Sequence, residues 1–201
     1  MKKSFKVMLA VAMMFSATLS ANAQFSSKQN NRIPDRFHMG IRGGITSNMY
    51  SDYSLKGGYE HNTDALIFPT GGIALDFQLA SIPLFLGLGV NYVNYGYKID
   101  EGRYSYKDDE CHSIQVPVTV SYHIGVAPNF FINPFVGEFM AYNFDSPTDK
   151  DFNYGLRFGC GLNFGRLTFD AGYDLGLANL GNDAKTGTFF MTIGFNWAGS
   201  R

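Results

Sequence analysis

The sequence predicts an all-β fold: an eight-stranded antiparallel up-and-down transmembrane β-barrel that follows a cleaved signal peptide. Three observations carry that prediction. The first residues have the form of an export signal. The rest of the chain alternates apolar with small or polar residues in runs long enough to cross a membrane. The connections between those runs alternate long and short.

Lys2, Lys3 and Lys6 make the N-terminus positive, residues 7–17 are mostly apolar, and Ala21-Asn22-Ala23 supplies the small residues of a cleavage site before Gln24. The apolar stretch is shorter than the ~20 residues a spanning helix needs. Residues 1–23 are therefore expected to be a signal peptide, with no cysteine following to carry a lipid anchor. Residues 24–35, with Ser, Gln, Asn and Pro34, are expected to form a flexible periplasmic leader, and residues 36–201 the barrel. Losing the three signal lysines takes the formal charge from -1 to -4, which argues against nucleic acid as a partner. No later stretch is an uninterrupted apolar run of ~18 residues, so any crossing of a membrane must be made by a closed barrel. Cys111 and Cys160 are too few for a disulfide framework, and their expected places on non-adjacent strands at different heights disfavour a bridge.

From Phe37 the period becomes two. Phe37, Met39, Ile41, Gly43 and Ile45 alternate with His38, Gly40, Arg42, Gly44 and Thr46. Ile73, Leu75, Phe77 and Leu79 alternate with Gly72, Ala74, Asp76 and Gln78. In the third run Leu84, Leu86, Leu88, Val90 and Tyr92 oppose Phe85, Gly87, Gly89 and Asn91. In the fourth, Ile114, Val116, Val118, Val120 and Tyr122 oppose Gln115, Pro117, Thr119, Ser121 and His123. The fifth, residues 131–143, alternates less clearly, because Phe135 and Val136 fall on opposite faces. The sixth sets Leu156, Phe158, Cys160, Leu162 and Phe164 against Arg157, Gly159, Gly161 and Asn163. The seventh sets Leu167, Phe169, Ala171, Tyr173 and Leu175 against Thr168, Asp170, Gly172, Asp174 and Gly176. The last sets Phe189, Met191, Ile193, Phe195 and Trp197 against Phe190, Thr192, Gly194 and Asn196.

Residues 51–67, 99–112, 144–151 and 179–187 form the longer, polar connections, and 80–83, 125–129 and 165–166 the tight ones. Long external loops and short periplasmic turns alternate in this way in bacterial outer-membrane barrels. The outer membrane of a Gram-negative bacterium is therefore the expected location, with outer-membrane lipid and lipopolysaccharide around the protein.

The two faces differ in a direction that matters. The apolar face is bulky and uncharged on the seven clear runs, while the polar face is mostly Gly and small residues with scattered charges. A water-facing surface would carry more Lys and Glu, so the apolar face is expected to meet lipid and the polar face to line a lumen. Eight strands enclose a lumen that side chains nearly fill, so a plugged barrel is expected. The charges assigned to the lumen are Arg42, Asp76, Glu138, Arg157, Asp170 and Asp174. The arginines are expected to pair with Asp76, Asp170, Asp174 or Glu138, since an unpaired buried charge costs several kcal/mol; the sequence leaves the pairs open. Tyr92, Tyr95, Tyr97, Tyr142, Phe144, Tyr173 and Trp197 lie near strand ends, where girdles of rings or ordinary β-propensity would both put them.

The runs resemble the PorT-like outer-membrane β-barrel family, within the wider group of small OmpA-type barrels. Met39-Gly40-Ile41-Arg42-Gly43-Gly44, Ile114-Gln115-Val116-Pro117-Val118, Pro134-Phe135-Val136-Gly137 and the closing Ile193-Gly194-Phe195-Asn196-Trp197 carry the resemblance, which covers essentially the whole mature chain. It implies recognition of the last strand by the barrel-assembly machinery, although Ala198 to Arg201 extend past the usual final aromatic. Some members are linked to protein secretion, and the family shares no single activity.

No catalytic, cofactor-binding or metal-binding residues are assigned. His112 and Ser113, with Glu138 on the next run, suggest lipid-modifying chemistry at a barrel rim, but neighbouring strand residues point to opposite faces and do not readily share a proton. Asp108-Asp109-Glu110 with His112 has the composition of a cation site, and equally that of a solvated loop tip. Asp170 and Asp174 share a face but stand roughly 13 Å apart along a strand, which suits lumen ion pairs better than paired acid–base work. The expected function is non-enzymatic: a structural or interaction barrel, with an accessory role in secretion or envelope assembly as one form and an envelope protein as partner. The alternative is a small-molecule binder or a lipid-modifying enzyme at the rim.

Overall fold

Alternation with period two sends successive side chains to opposite faces of a strand, so each run specifies a wall with two different surfaces. The computed structural model describes residues 36–51, 63–64, 66–79, 81–95, 98–101, 104–105, 111–144, 151–178 and 185–198; the expected signal peptide and leader lie outside them. Eight long strands form the wall: β1 Phe37–Ser51, β2 Leu66–Gln78, β3 Leu84–Tyr95, β4 Cys111–Tyr122, β5 Phe130–Asn143, β6 Phe152–Phe164, β7 Leu167–Gly176 and β8 Lys185–Ala198. Each pairs antiparallel with its neighbours in the chain, and β1 pairs with β8 from Met39↔Ala198 to Ser51↔Lys185. The ring is closed. Closure bonds the backbone of every strand on both sides and leaves no edge, which is the condition for a β-structure to stand in hydrocarbon.

The tight turns and both ends of the barrel chain lie at one rim, and the longer connections at the other. Gly165 and Asn129 take left-handed backbone conformations in two of the turns, with φ of 59° and 62°. Gly does so without a Cβ clash, and Asn is among the few other residues that tolerate it. The segment 125–129, expected to be a plain link, is partly strand: Ile124–Ala127 folds back on the start of β5 with Ile124 opposite Ile132. Across the longer connections, Thr63–Asp64 pairs with Lys98–Glu101, which also pairs with Tyr104–Ser105.

Several strands extend beyond the runs read from the sequence at the rim of the longer connections. β2 starts at Leu66, β4 at Cys111, β6 at Phe152 and β8 at Lys185. The reason is physical. An apolar outward face is required only against lipid, whereas ladder bonds and inward polar packing continue above it. Ser113, Asn153, Thr186 and Thr188 are buried inside those extensions, as is Asn48 toward the end of β1. The β3–β4 ladder is paired from Leu84↔Tyr122 to Leu88↔Val118 and again from Asn91↔Gln115, with the gap falling opposite Pro117, which has no N–H to donate.

The fifth run becomes legible once its inward residues are seen. Phe135 and Phe139 point into the barrel with Phe85 and Phe190, while Pro134, Met140 and Tyr142 face out. Glycines opposite these rings make the room. A Cβ on Gly172 would lie 2.6 Å from Phe190 Cζ and 2.6 Å from the Phe158 carbonyl oxygen, and one on Gly155 2.7 Å from Phe139 Cε1. Gly43, on the outward face, would meet nothing within 4 Å. We therefore expect Gly172→Val to destabilise the barrel by about 1–3 kcal/mol, the usual cost of overpacking. Gly43→Ala should stay within about 0.5 kcal/mol of the parent. Urea titration of both variants refolded into lipid vesicles checks the pair; equal effects would contradict the packing.

Candidate functional site: the lumen

A polar group inside a narrow barrel has no bulk water to turn to, so the inward-facing charges and amides must satisfy one another. They do so around two arginines. Arg157 of β6 makes a two-pronged contact with Asp174 of β7, Nε to Oδ1 and Nη2 to Oδ2, both at 2.7 Å. The register that sets Arg157 directly opposite Asp174 produces it. Gln115 of β4 completes the cluster from across the lumen: its Oε1 accepts from Arg157 Nη2 at 2.8 Å, and its Nε2 donates to Asp174 Oδ2 at 2.9 Å. The guanidinium also lies 4.3 Å above the centre of the Phe190 ring. Gln115 is 0% exposed, Asp174 2% and Arg157 9%, so the pair is sealed. Bidentate pairing with added hydrogen bonds is what offsets the cost of burying two charges.

Arg42 of β1 anchors the second cluster. Its Nε lies 3.2 Å from Asp170 Oδ2, its Nη2 3.8 Å from Asp76 Oδ2, and its Nη1 donates to Asn196 Oδ1 at 2.9 Å. Asn196 in turn donates to Thr168 Oγ1 at 3.3 Å. A cavity of about 120 Å³ lies within reach of both clusters, bounded by Arg42, Asp76, Gln115, Arg157, Asp170 and Phe190 among others. Asn133, Asn163 and His123 also line it, each with a buried polar atom that no protein group bonds. A space of that size and polarity suits several water molecules.

Nearer the rim of the longer connections, smaller amide and hydroxyl pairs cross the lumen. Thr188 donates to Asn48 Oδ1 at 2.8 Å, Asn48 to the Asn94 carbonyl at 3.0 Å, and Asn153 to Thr186 Oγ1 at 3.0 Å. Phe139 and Phe85 are among the largest fully buried side chains. Rings and hydrogen-bonded polar groups thus fill the barrel interior around that cavity.

The sequence-derived charges fall into two groups. Arg42, Asp76, Arg157, Asp170 and Asp174 meet in the lumen. Glu138 does not, and the expectation that it would is corrected here. It is exposed on the outward face of β5, with Val118 opposite it on β4 and Leu156 on β6. The ambiguous alternation of that run hid the parity: because Phe135 and Phe139 point inward, Glu138 must point out. His112 and Ser113 also part company. Tyr92 Oη and His112 Nδ1 lie 2.6 Å apart in a hydrogen bond on the outward side, whereas Ser113 is buried inside, where Oγ donates to the Tyr142 carbonyl at 3.0 Å. Cys111 is buried and Cys160 exposed on non-adjacent strands, and no disulfide joins them. Asp108-Asp109-Glu110 lies outside the described residues. Sequence reasoning missed Gln115 and the ring plug, although Phe85 and Phe190 at small-residue positions beside glycines were a usable sign.

Replacing Arg157 with Leu should leave Asp174 buried and unpaired and lower stability in lipid vesicles by about 3–5 kcal/mol. Arg157→Leu combined with Asp174→Leu should recover most of that loss. Urea titration of the single and double variants reads both; an additive second loss would contradict the pairing.

A family model described as "Outer membrane protein beta-barrel domain" matches residues 22–182. No curated protein sequence matches the chain. Among solved structures, it is similar to the N-terminal β-barrel domain of Pseudomonas aeruginosa OprF, at 12% identity and a TM-score of 0.44, covering 82% of this chain and 99% of that one. It is similar to Ail, the attachment invasion locus protein of Yersinia pestis, at 14% identity and a TM-score of 0.41, covering 80% and 98%. It is also similar to the outer membrane enzyme PagL, at 14% identity and a TM-score of 0.41, covering 79% and 98%. With a closed eight-stranded ring, apolar outside and polar within, and a family match across most of its length, the chain belongs to the outer membrane protein β-barrel domain family and resides in the outer membrane of a Gram-negative bacterium.

Proposed function

We propose that this barrel is a non-enzymatic interaction protein with an accessory role in secretion or envelope assembly, and that it is a PorT-like member of its family. The observation that supports this reading best is the filled lumen. The Arg157–Asp174–Gln115 cluster and the rings of Phe139 and Phe190 occupy the space a conducting channel would need. What the protein offers to its surroundings is then the outward wall and the longer connections. The residues that suggested rim chemistry support the same reading. His112 and Ser113 stand on opposite sides of the wall, so a hydroxyl nucleophile and its base are not adjacent. The PorT-like assignment rests on the glycine-rich first strand, the Gln115–Pro117 motif in β4 and the aromatic last strand.

His112→Ala and Glu138→Gln should each leave the lipid A composition of producing cells unchanged by mass spectrometry. The purified barrel should give no resolvable conductance steps in planar bilayers. A change in lipid A acylation would favour the lipid-modifying alternative, and regular conductance steps would favour a channel.

A further inference from the structure

Among strand residues whose side chains the structure describes, Glu138 is the one charge on the outward face. Its surroundings are apolar in every direction along the wall: Val136 and Met140 on its own strand, Val118 and Leu156 across the two ladders. It stands five residues from the end of β5 at Asn143 and eight from the start at Phe130. At about 3.4 Å per residue and a tilt of 35–45°, that lies inside the apolar band of roughly 25 Å. An ionisable group facing the membrane interior is costly, and such groups as a rule turn to a partner.

We propose that the β4–β6 face around Glu138 docks a different membrane protein, one that presents a lysine or arginine at this depth. The proposal rests on the reading of the chain as an interaction barrel and names where, and with what chemistry, one partner binds. Charge complementarity selects the occupant. A second copy of this chain would bring another Glu138 or an uncharged wall, since the outward face holds no described Lys or Arg side chain, and Lys185 begins β8 at its outer end. Lipid tails offer no counter-charge, and lipopolysaccharide phosphates have the same sign as the carboxylate. The face also suits a protein surface. Val116, Val118, Val120 and Val136 form a low β-branched patch beside Glu138, while the taller Phe158 and Tyr154 stand along its β6 side.

The test places a photo-crosslinking amino acid, p-benzoylphenylalanine, at Val118, at Leu156 or, away from this face, at Ile193, in cells producing the full chain. Positions 118 and 156 should yield one discrete protein adduct, and 193 should not. Glu138→Lys should cut the adduct about tenfold or more, as when a desolvated charge pair is broken. Glu138→Gln, which keeps the shape, should cut it in the same direction and serves if the lysine variant does not fold; heat-modifiable migration on gels reports folding. Once the adduct is identified by mass spectrometry, reversing the partner's nearest Lys or Arg to Glu should restore crosslinking to the Glu138→Lys variant. The proposal is overturned by adducts to lipid alone, by a chain-to-chain adduct, by equal protein adducts at 193, or by yields indifferent to Glu138. Lipid A composition and conductance test the interaction reading separately, so silence in both with no adduct at 118 or 156 condemns this face alone.

Discussion

Every backbone N–H and C=O that meets hydrocarbon must find its partner within the protein, and this constraint organises the whole molecule. It demands the closed ring, with β1 laddered to β8. It also sets the polarity of the wall. Ile41, Val90 and Ile193 are about half exposed, at 53%, 52% and 57%, which would be a liability in water and is the normal state against lipid. The inward face inherits the opposite problem. Few residues wide and cut off from bulk water, it has to satisfy its charges internally, and Arg42 and Arg157 do so with three aspartates and two amides.

The same narrowness explains the composition. An eight-stranded ring has room for side chains but not for eight inward walls of large ones. Glycine and phenylalanine therefore divide the space: Gly172 yields to Phe190, Gly155 to Phe139. The polar clusters and the rings are joined where the Arg157 guanidinium lies over Phe190, so charge pairing and packing hold one another in register. The cavity lies between the two clusters, bounded by Arg42 and Asp170 as well as by Gln115, Arg157 and Phe190.

Much of the fold was legible because a membrane strand writes its two environments in alternate letters. Seven runs showed this plainly, and their inward and outward assignments agree with the burial of Gln115, Arg157 and Thr168 on one side and the exposure of Ile114, Phe158 and Phe169 on the other. Strand ends were less legible: β8 begins with Lys185 and Gly187 at its outward register positions, with no apolar face to mark it, while on β2 and β6 the outward Ile67, Phe152 and Tyr154 carry the apolar face beyond the runs read from the sequence. Glu138 was misplaced for a related reason. A charge on a Gram-negative barrel strand ordinarily belongs inside, and on β5 two inward phenylalanines blurred the parity that would have shown otherwise. The pairing of Arg157 with Asp174 was beyond the sequence, since it depends on the register between β6 and β7.

The central claim concerns which face looks at lipid, and site-directed spin labelling tests it most directly. Single cysteines at each position from Phe189 to Asn196, in a background with Cys111→Ser and Cys160→Ser, would carry nitroxides through β8 in lipid vesicles. Collision rates with dissolved oxygen should oscillate with period two, highest at 189, 191, 193 and 195, where a water-soluble nickel complex is excluded. Maxima on the even positions, or free access of the nickel complex to Ile193, would mean that the greasy face does not meet hydrocarbon.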